Sequence, residues 1–420
     1  MRSLFLASGL LAAGSLTAAD DVARTDLFEA KTGGYATYRI PGIVVTAKGT
    51  VLAYCEARTA GGDWGAIDLV ARRGADKGKT WTAPAPLPAV PGPHPKNPVA
   101  VAQKLGKPGE VTYNNPVMIA DRAGPVHLLF CIEYMRCFYA RSDDDGATWS
   151  APREITAAFE PTTSPTARTP TSPWSAPREI TAAFEGYRPD YAWRVLATGP
   201  GHGIQLKSGR LVVPVWLSTG TGGHAHRPSV TSTVVSDDGG ATWKRGDIAV
   251  PNTPDWVNPN EATVAELPDG RVMLNARSES KANRRLVTTS PDGATGWSRP
   301  AFDDALPEPV CFGSLLRLPG PRPLLVFSNP DTLERTGGKA VPGGSRDRKN
   351  LSLRTSADGG KTWAAAKAVE PGFSAYSDLA PAPEGGVYLF YERAGADGAA
   401  ANRYGRLTLA RVPAGWLRAE

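Results

Sequence analysis

Apolar residues in this chain come in short runs rather than long helical stripes. Ile40–Val45, Val51–Tyr54, Val126–Cys131, Leu211–Trp216, Arg271–Asn275, Leu324–Phe327 and Val387–Tyr391 are four to six residues each and rich in branched and aromatic side chains. Turn formers such as Lys207-Ser208-Gly209 and Pro268-Asp269-Gly270 separate them, so they read as β-strands. No segment shows the 3.6-residue apolar period of a long amphipathic helix. The 45 glycines and 38 prolines are scattered along the 420 residues, as many short strands joined by tight turns require. The expected class is all-β.

A second pattern overlies the strands. Ser142–Trp149 (SDDDGATW), Ser236–Trp243 (SDDGGATW) and Ser356–Trp363 (SADGGKTW) share one motif, and Gly74–Trp81 and Ser290–Trp297 are weaker copies. Asp and Ser or Thr side chains bonding nearby backbone, with Gly free to turn left-handed and Trp packed beneath, make a hairpin turn rather than a ligand site. These boxes resemble the Asp boxes, or BNR repeats, of the sialidase superfamily. Their spacings are 68, 94, 54 and 66 residues, and the outlier has a cause. Residues 149–160 recur identically at 174–185, an offset of 25, which brings 94 back to 69. One copy alone can fill the native strand position, so a 25-residue duplicated insertion is expected around 150–185, with Pro161–Pro173 as a mobile loop. A period of about 55–70 residues matches four-stranded propeller blades. The fold predicted for residues 20–420 is therefore a six-bladed β-propeller of four-stranded antiparallel blades.

Composition narrows the function classes. A net charge of +6 without a basic stripe argues against nucleic acid as a partner. Residues 1–19, with Arg2, the apolar Leu4–Leu16 and Thr17-Ala18-Ala19, read as an export signal too short to span a bilayer, so a secreted or periplasmic protein without a membrane span is expected. Cys55, Cys131, Cys137 and Cys311 lack metal-ligand spacing and are expected to be buried thiols. No cofactor and no metal is implied, and a monomer is expected.

Charged and phenolic residues embedded in or ending the apolar runs are the candidates for chemistry: Arg39, Glu56, Arg58, Glu261, Arg277, Arg348, Tyr376 and Glu392. Arginines converging from several strands form an anion site suited to a carboxylate. The ordered motifs YRIPG (38–42), EARTAGGD (56–63), NEATVAEL (260–267), LNARS (274–278), DRKNL (347–351), AYSDL (375–379) and LFYE (389–392) resemble the exo-α-sialidase (neuraminidase) superfamily over essentially the whole chain after residue 35.

That resemblance implies roles. Arg39, Arg277 and Arg348 match the triad that grips the sialic acid carboxylate, with Arg346 the competitor for the third place. Tyr376 matches the nucleophile, Glu261 its base and Asp63 the acid/base. Arg58 matches a substrate-side arginine, Glu392 the group that orients Arg39, and Asp68 a substrate contact. His202, His224 and His226 are weaker candidates, the last two for the rim. The implied activity is removal of terminal sialic acid from glycoconjugates with retention. Alternatives are hydrolysis or transfer of another ulosonic acid (Kdn, Kdo), or a non-catalytic propeller that binds sialic acid.

Overall fold

A computed structural model describes residues 22–155, 183–318, 320, 323–396 and 403–418. The expected export signal (1–19) and the loop 161–173 lie outside these. Strand β1 (Ala23–Glu29) pairs with the last strand of the chain. Four antiparallel sheets then follow in chain order. The first is β2 (Thr37–Val45), β3 (Val51–Arg58), β4 (Ile67–Gly74) and β5 (Ala85–Pro86). The second is β6 (Tyr113–Ala120), β7 (Val126–Ile132), β8 (Arg136–Ser142) and β9 (Arg153–Glu154). The third holds β10 (Val195–Thr198), β11 (Ile204–Gln205), β12 (Leu211–Ser218), β13 (Ser229–Ser236) and β14 (Lys244–Arg245). The fourth is β15 (Ala262–Glu266), β16 (Val272–Ala276), β17 (Arg284–Ser290) and β18 (Ala301–Pro307).

The rest of the chain forms one seven-stranded sheet: β19 (Ser314–Leu318), β20 (Leu324–Pro330), β21 (Lys349–Ser356), β22 (Lys367–Pro381), β23 (Val387–Arg393), β24 (Arg406–Val412) and β1. The long strand β22 divides it. Lys367–Glu370 pair with β21, whereas Ser377–Pro381 pair with β23. Among the described residues the two α-helices, α1 (Pro98–Ala102) and α2 (Ala414–Arg418), have five residues each, and neither could cross a membrane.

Three inner strands break register at the same end of the molecule. The breaks fall at Arg39/Gly42 in β2, Asn114/Val117 in β6 and Ser374/Ser377 in β22. Ile40 and Asn115 have φ of 60° and 50°, each followed by a proline. Bulges of this kind re-aim side chains and end pairing, and here they flank Arg39, Asn115 and Tyr376.

The boxes are closed hydrogen-bonded turns. In the second copy Asp144 Oδ1 accepts from Ser142 Oγ and the Thr148 amide (both 2.8 Å), and Oδ2 accepts from Thr148 Oγ1 (2.6 Å). Asp238 and Asp358 repeat these bonds with their own Ser and Thr. Within the duplicated segment, Arg153–Glu154 of the first copy form β9 against Tyr139 and Phe138. Ile155 of that copy and Ala183 and Phe184 of the second share one core cluster. All four cysteines are buried and none forms a disulfide.

Candidate active site

Glu261 and Arg277 stand one residue beyond the facing ends of β15 and β16, where Ala262 pairs with Ala276. That cross-strand position brings Arg277 Nη1 to 2.5 Å from Glu261 Oε2. Tyr376, 115 residues farther along, donates its hydroxyl to Glu261 at 2.6 and 2.7 Å and lies 2.7 Å from Arg277 Nη1. Burial holds the Tyr376 hydroxyl well above its ordinary pKa, with Arg277 and Arg348 opposing and Glu261 adding to the effect. The phenol is therefore neutral, in contact with a carboxylate placed to take its proton.

Arg39 reaches the same point from the bulge in β2. Glu392, fully buried in β23, accepts from Arg39 Nε (2.6 Å), from the Ile40 amide (3.0 Å) and from the Tyr376 amide (3.1 Å). One carboxylate thus fixes an arginine and the backbone of the tyrosine together. The third arginine is Arg348: its guanidinium carbon lies 5.3 Å from the Tyr376 ring centre, and it donates to Val310 O and Tyr404 Oη. Arg346 does not reach the cavity and bonds Val341 O, Gly344 O and Asn283 Oδ1 instead. Tyr404 went unnoticed in the sequence. Its ring stacks 3.8 Å from the Arg39 guanidinium carbon while its hydroxyl takes Arg348 at 3.1 Å, so it spaces two of the three arginines.

Asp63 lines the same cavity. Arg58, buried at the end of β3, is gripped by Glu56 (2.6 and 2.9 Å) and holds Asp63 Oδ1 at 2.7 Å. Burial raises the Asp63 carboxyl, but the charge and hydrogen bond of Arg58, with the charge of Arg39, outweigh it and hold the group well below the usual carboxylate range. Its side chain is 51% exposed, at the mouth of the cavity. His224 and His226 line the cavity beside Tyr134 and Trp216. Burial lowers His226 to about 4, so that ring is neutral at pH 6.

Two expected residues stand elsewhere. Asp68 is exposed on β4, accepts the Tyr35 hydroxyl at 2.8 Å and is not among the residues that line the cavity. His202 lies outside the cavity lining, paired with Asp378 at 2.7 Å. Of two further lining residues, Asn260 opens the NEATVAEL motif, whereas Asn115 carries no sequence signal beyond lying next to Pro116.

The cavity, about 200 Å³, is lined by five arginines (39, 58, 227, 277, 348) against Asp63, Glu261 and Glu279. That surplus suits an anion, and the lining holds a phenol bonded to one carboxylate together with a separate carboxyl. Comparison with known proteins gives this geometry a context. Residues 95–389 match the family model for the BNR repeat-like domain. A sialidase of Micromonospora viridifaciens is 28% identical over 395 residues, covering 86% of this chain and 50% of its own length. A sialidase of Bacteroides fragilis (strain YCH46) is 29% identical over 357 residues, covering 78% and 54%. The chain thus spans about half the length of these two relatives. Among solved structures, the Hadza microbial sialidase Hz136 superposes with a TM-score of 0.68 at 25% identity, over 93% of this chain and 68% of its own. A leech intramolecular trans-sialidase gives 0.65 at 17% identity over 94% and 70%, a likeness of fold.

Proposed function

The chain belongs to the BNR-repeat sialidase superfamily, and from that premise we propose that it is a retaining exo-α-sialidase acting on terminal sialic acid of glycoconjugates. The sheets are read as six propeller blades, the seven-stranded sheet counting as two that meet in β22, with the cavity where inner strands converge. The observation that carries the functional reading is the Tyr376 hydroxyl bonded to both oxygens of Glu261 and to Arg277.

Sialic acid bears a carboxylate on its anomeric carbon. A carboxylate nucleophile would meet like charge there, and a phenol does not. Arg39, Arg277 and Arg348 hold the substrate carboxylate and set the anomeric carbon against Tyr376 Oη. A phenol with a pKa near 10 or above attacks poorly unaided, so Glu261 removes its proton as the bond forms. The bond from the anomeric carbon to the glycosidic oxygen breaks, and Asp63 gives that oxygen its proton. Asp63 then takes a proton from water, which attacks the anomeric carbon and returns the electron pair to Tyr376, while Glu261 returns its proton. Two displacements give net retention, the tyrosine exception to the two-carboxylate scheme.

Asp63 is ionised in the empty site and must be protonated before it acts. The arriving carboxylate offsets the arginine field, and the sugar covers the mouth of the cavity, so both raise its pKa.

The test is hydrolysis of 4-methylumbelliferyl α-sialoside by the wild type and by Tyr376→Phe, with the first-formed anomer read by NMR. Wild-type turnover giving the α-anomer, and a loss of about 10³-fold in the variant, support the reading. A folded wild type without turnover on any sialoside, or a β-anomer as first product, sinks it.

A further inference from the structure

Two residues beyond Tyr376 stands Asp378, a fully buried carboxylate to which the proposed chemistry gives no part. Its Oδ1 accepts from His202 Nδ1 (2.7 Å) and Ser314 Oγ (2.8 Å), and its Oδ2 from the Ile43 amide (2.9 Å). The three donors belong to different parts of the fold. Ile43 lies on β2, four residues past Arg39. Ser314 opens β19 and also accepts from the Leu379 amide at 3.3 Å. His202 comes from the segment between β10 and β11 of the third sheet, and Gly203 beside it donates to Met118 O of the second. The belt goes one step farther: the Leu315 amide donates to Thr263 Oγ1 at 3.1 Å, on β15 two residues past Glu261.

Two hydrogen bonds joined through the Ser314–Leu315 peptide therefore link the strand of Tyr376, through Asp378, to the strand entered by Glu261. We propose that Asp378, held by His202 and Ser314, is the positioning residue that sets Tyr376 against Glu261. Glu392 already ties the Tyr376 amide to Arg39, so it fixes the tyrosine relative to the anion grip. What remains is the placement of the hydroxyl on its base, and the belt through Ser314 spans that distance. A carboxylate is needed because two oxygens serve three donors. An asparagine would turn an NH₂ toward one of them and leave that donor buried without a partner.

The inference rests on the sialidase reading, and a wild-type control separates the two. Misplacing reacting groups by about 1 Å costs on the order of 10²-fold. Tyr376 is nucleophile in the first displacement and leaving group in the second, so both steps slow together and kcat falls whichever one limits. The carboxylate grip is oriented by Glu392, Tyr404 and Val310 O, so substrate affinity should hold. The experiment measures kcat and KM on the aryl sialoside, and the Kd of an unsaturated sialic acid analogue, for wild type, Asp378→Asn and Ser314→Ala. We expect kcat to fall roughly tenfold to hundredfold in Asp378→Asn and less in Ser314→Ala, with KM and Kd within about threefold of wild type. A variant that melts earlier yet turns over at the wild-type kcat, or one whose loss lies entirely in KM, overturns the proposal. If Asp378→Asn does not fold, the same split in Ser314→Ala decides. An inactive wild type would overturn the sialidase reading instead.

Discussion

Replacing Glu261 with glutamine isolates the base from everything else in the cavity. Glu261 accepts two contacts from the Tyr376 hydroxyl and one from Arg277. A carboxamide has the same shape, still accepts through its oxygen, and cannot take a proton. A positioned general base is worth about 10²–10⁴-fold, or roughly 3–5 kcal/mol of barrier at about 1.4 kcal/mol per decade. The ion pair with Arg277 is also lost. Breaking a fully buried pair costs about 3–5 kcal/mol, but this one lines the cavity and neither side chain is fully buried, so a fraction of that is expected. Substrate brings a carboxylate to the freed arginine, so KM should stay level or fall while kcat drops by 10²–10⁴. Residual turnover should also change its pH dependence. With the base gone, attack needs the ionised phenol, which burial disfavours even without the Glu261 charge, so the residual rate should rise with pH through the neutral range. Steady-state kinetics on the aryl sialoside from pH 5 to 9, with a melting curve for each protein, read all three effects. A kcat loss under tenfold in a folded variant, or a residual rate flat with pH, would refute the assignment of Glu261 as base.

Asp63→Ala should separate substrates by leaving group: an aryl alcohol departs with little help, so turnover of the aryl sialoside should survive far better than release from a sialylated oligosaccharide, and equal losses on both would remove Asp63 as the acid. Deleting residues 156–180 joins Ile155 to Thr181 and restores a single uninterrupted WSAPREITAAFE; because Ile155, Ala183 and Phe184 already share a core, the shortened protein should fold and keep its kcat, and loss of either would show that the second copy is needed. For the buried His202–Asp378 pair, burial lowers the His202 pKa but Asp378 more than compensates, leaving it raised from 6.5. A raised folded-state value means that its stabilisation is complete below about pH 6.5 and is lost as pH climbs through the folded value. The wild-type melting temperature should therefore decline above pH 7 more steeply than that of His202→Gln, and parallel curves would count against the pair.

How far the site could be seen in advance follows the distance over which its bonds close. Each Asp box closes within eight residues, and Arg58 and Asp63 are five apart, so both patterns lie in the order of residues. Glu261 and Arg277 are 16 apart across one hairpin. Arg39 and Glu392 are 353 apart, and Tyr376 and Glu261 are 115 apart. Nothing local pairs such residues, and resemblance to a family brought them together where physics alone left single polar residues in apolar strands.

Asp68 shows how far a local rule reaches. Ile67 and Leu69 are buried and Asp68 between them is exposed, as simple strand alternation requires, so its side chain turns away from the buried face of β4. The same reasoning applied to Glu56, Asp378 and Glu392 points inward. Each is an acid with no exposed surface inside an apolar run, and a buried carboxylate persists only with donors around it. Sequence can flag such a residue as a node without naming its partners, since these come from strands in other sheets. Glu56 proved to hold Arg58, and Glu392 to hold Arg39. Asp378 is the node whose partners include neither an arginine nor substrate, and its bonds run instead between the strands that carry Tyr376 and Glu261. That difference is why its effect should fall on turnover and not on binding.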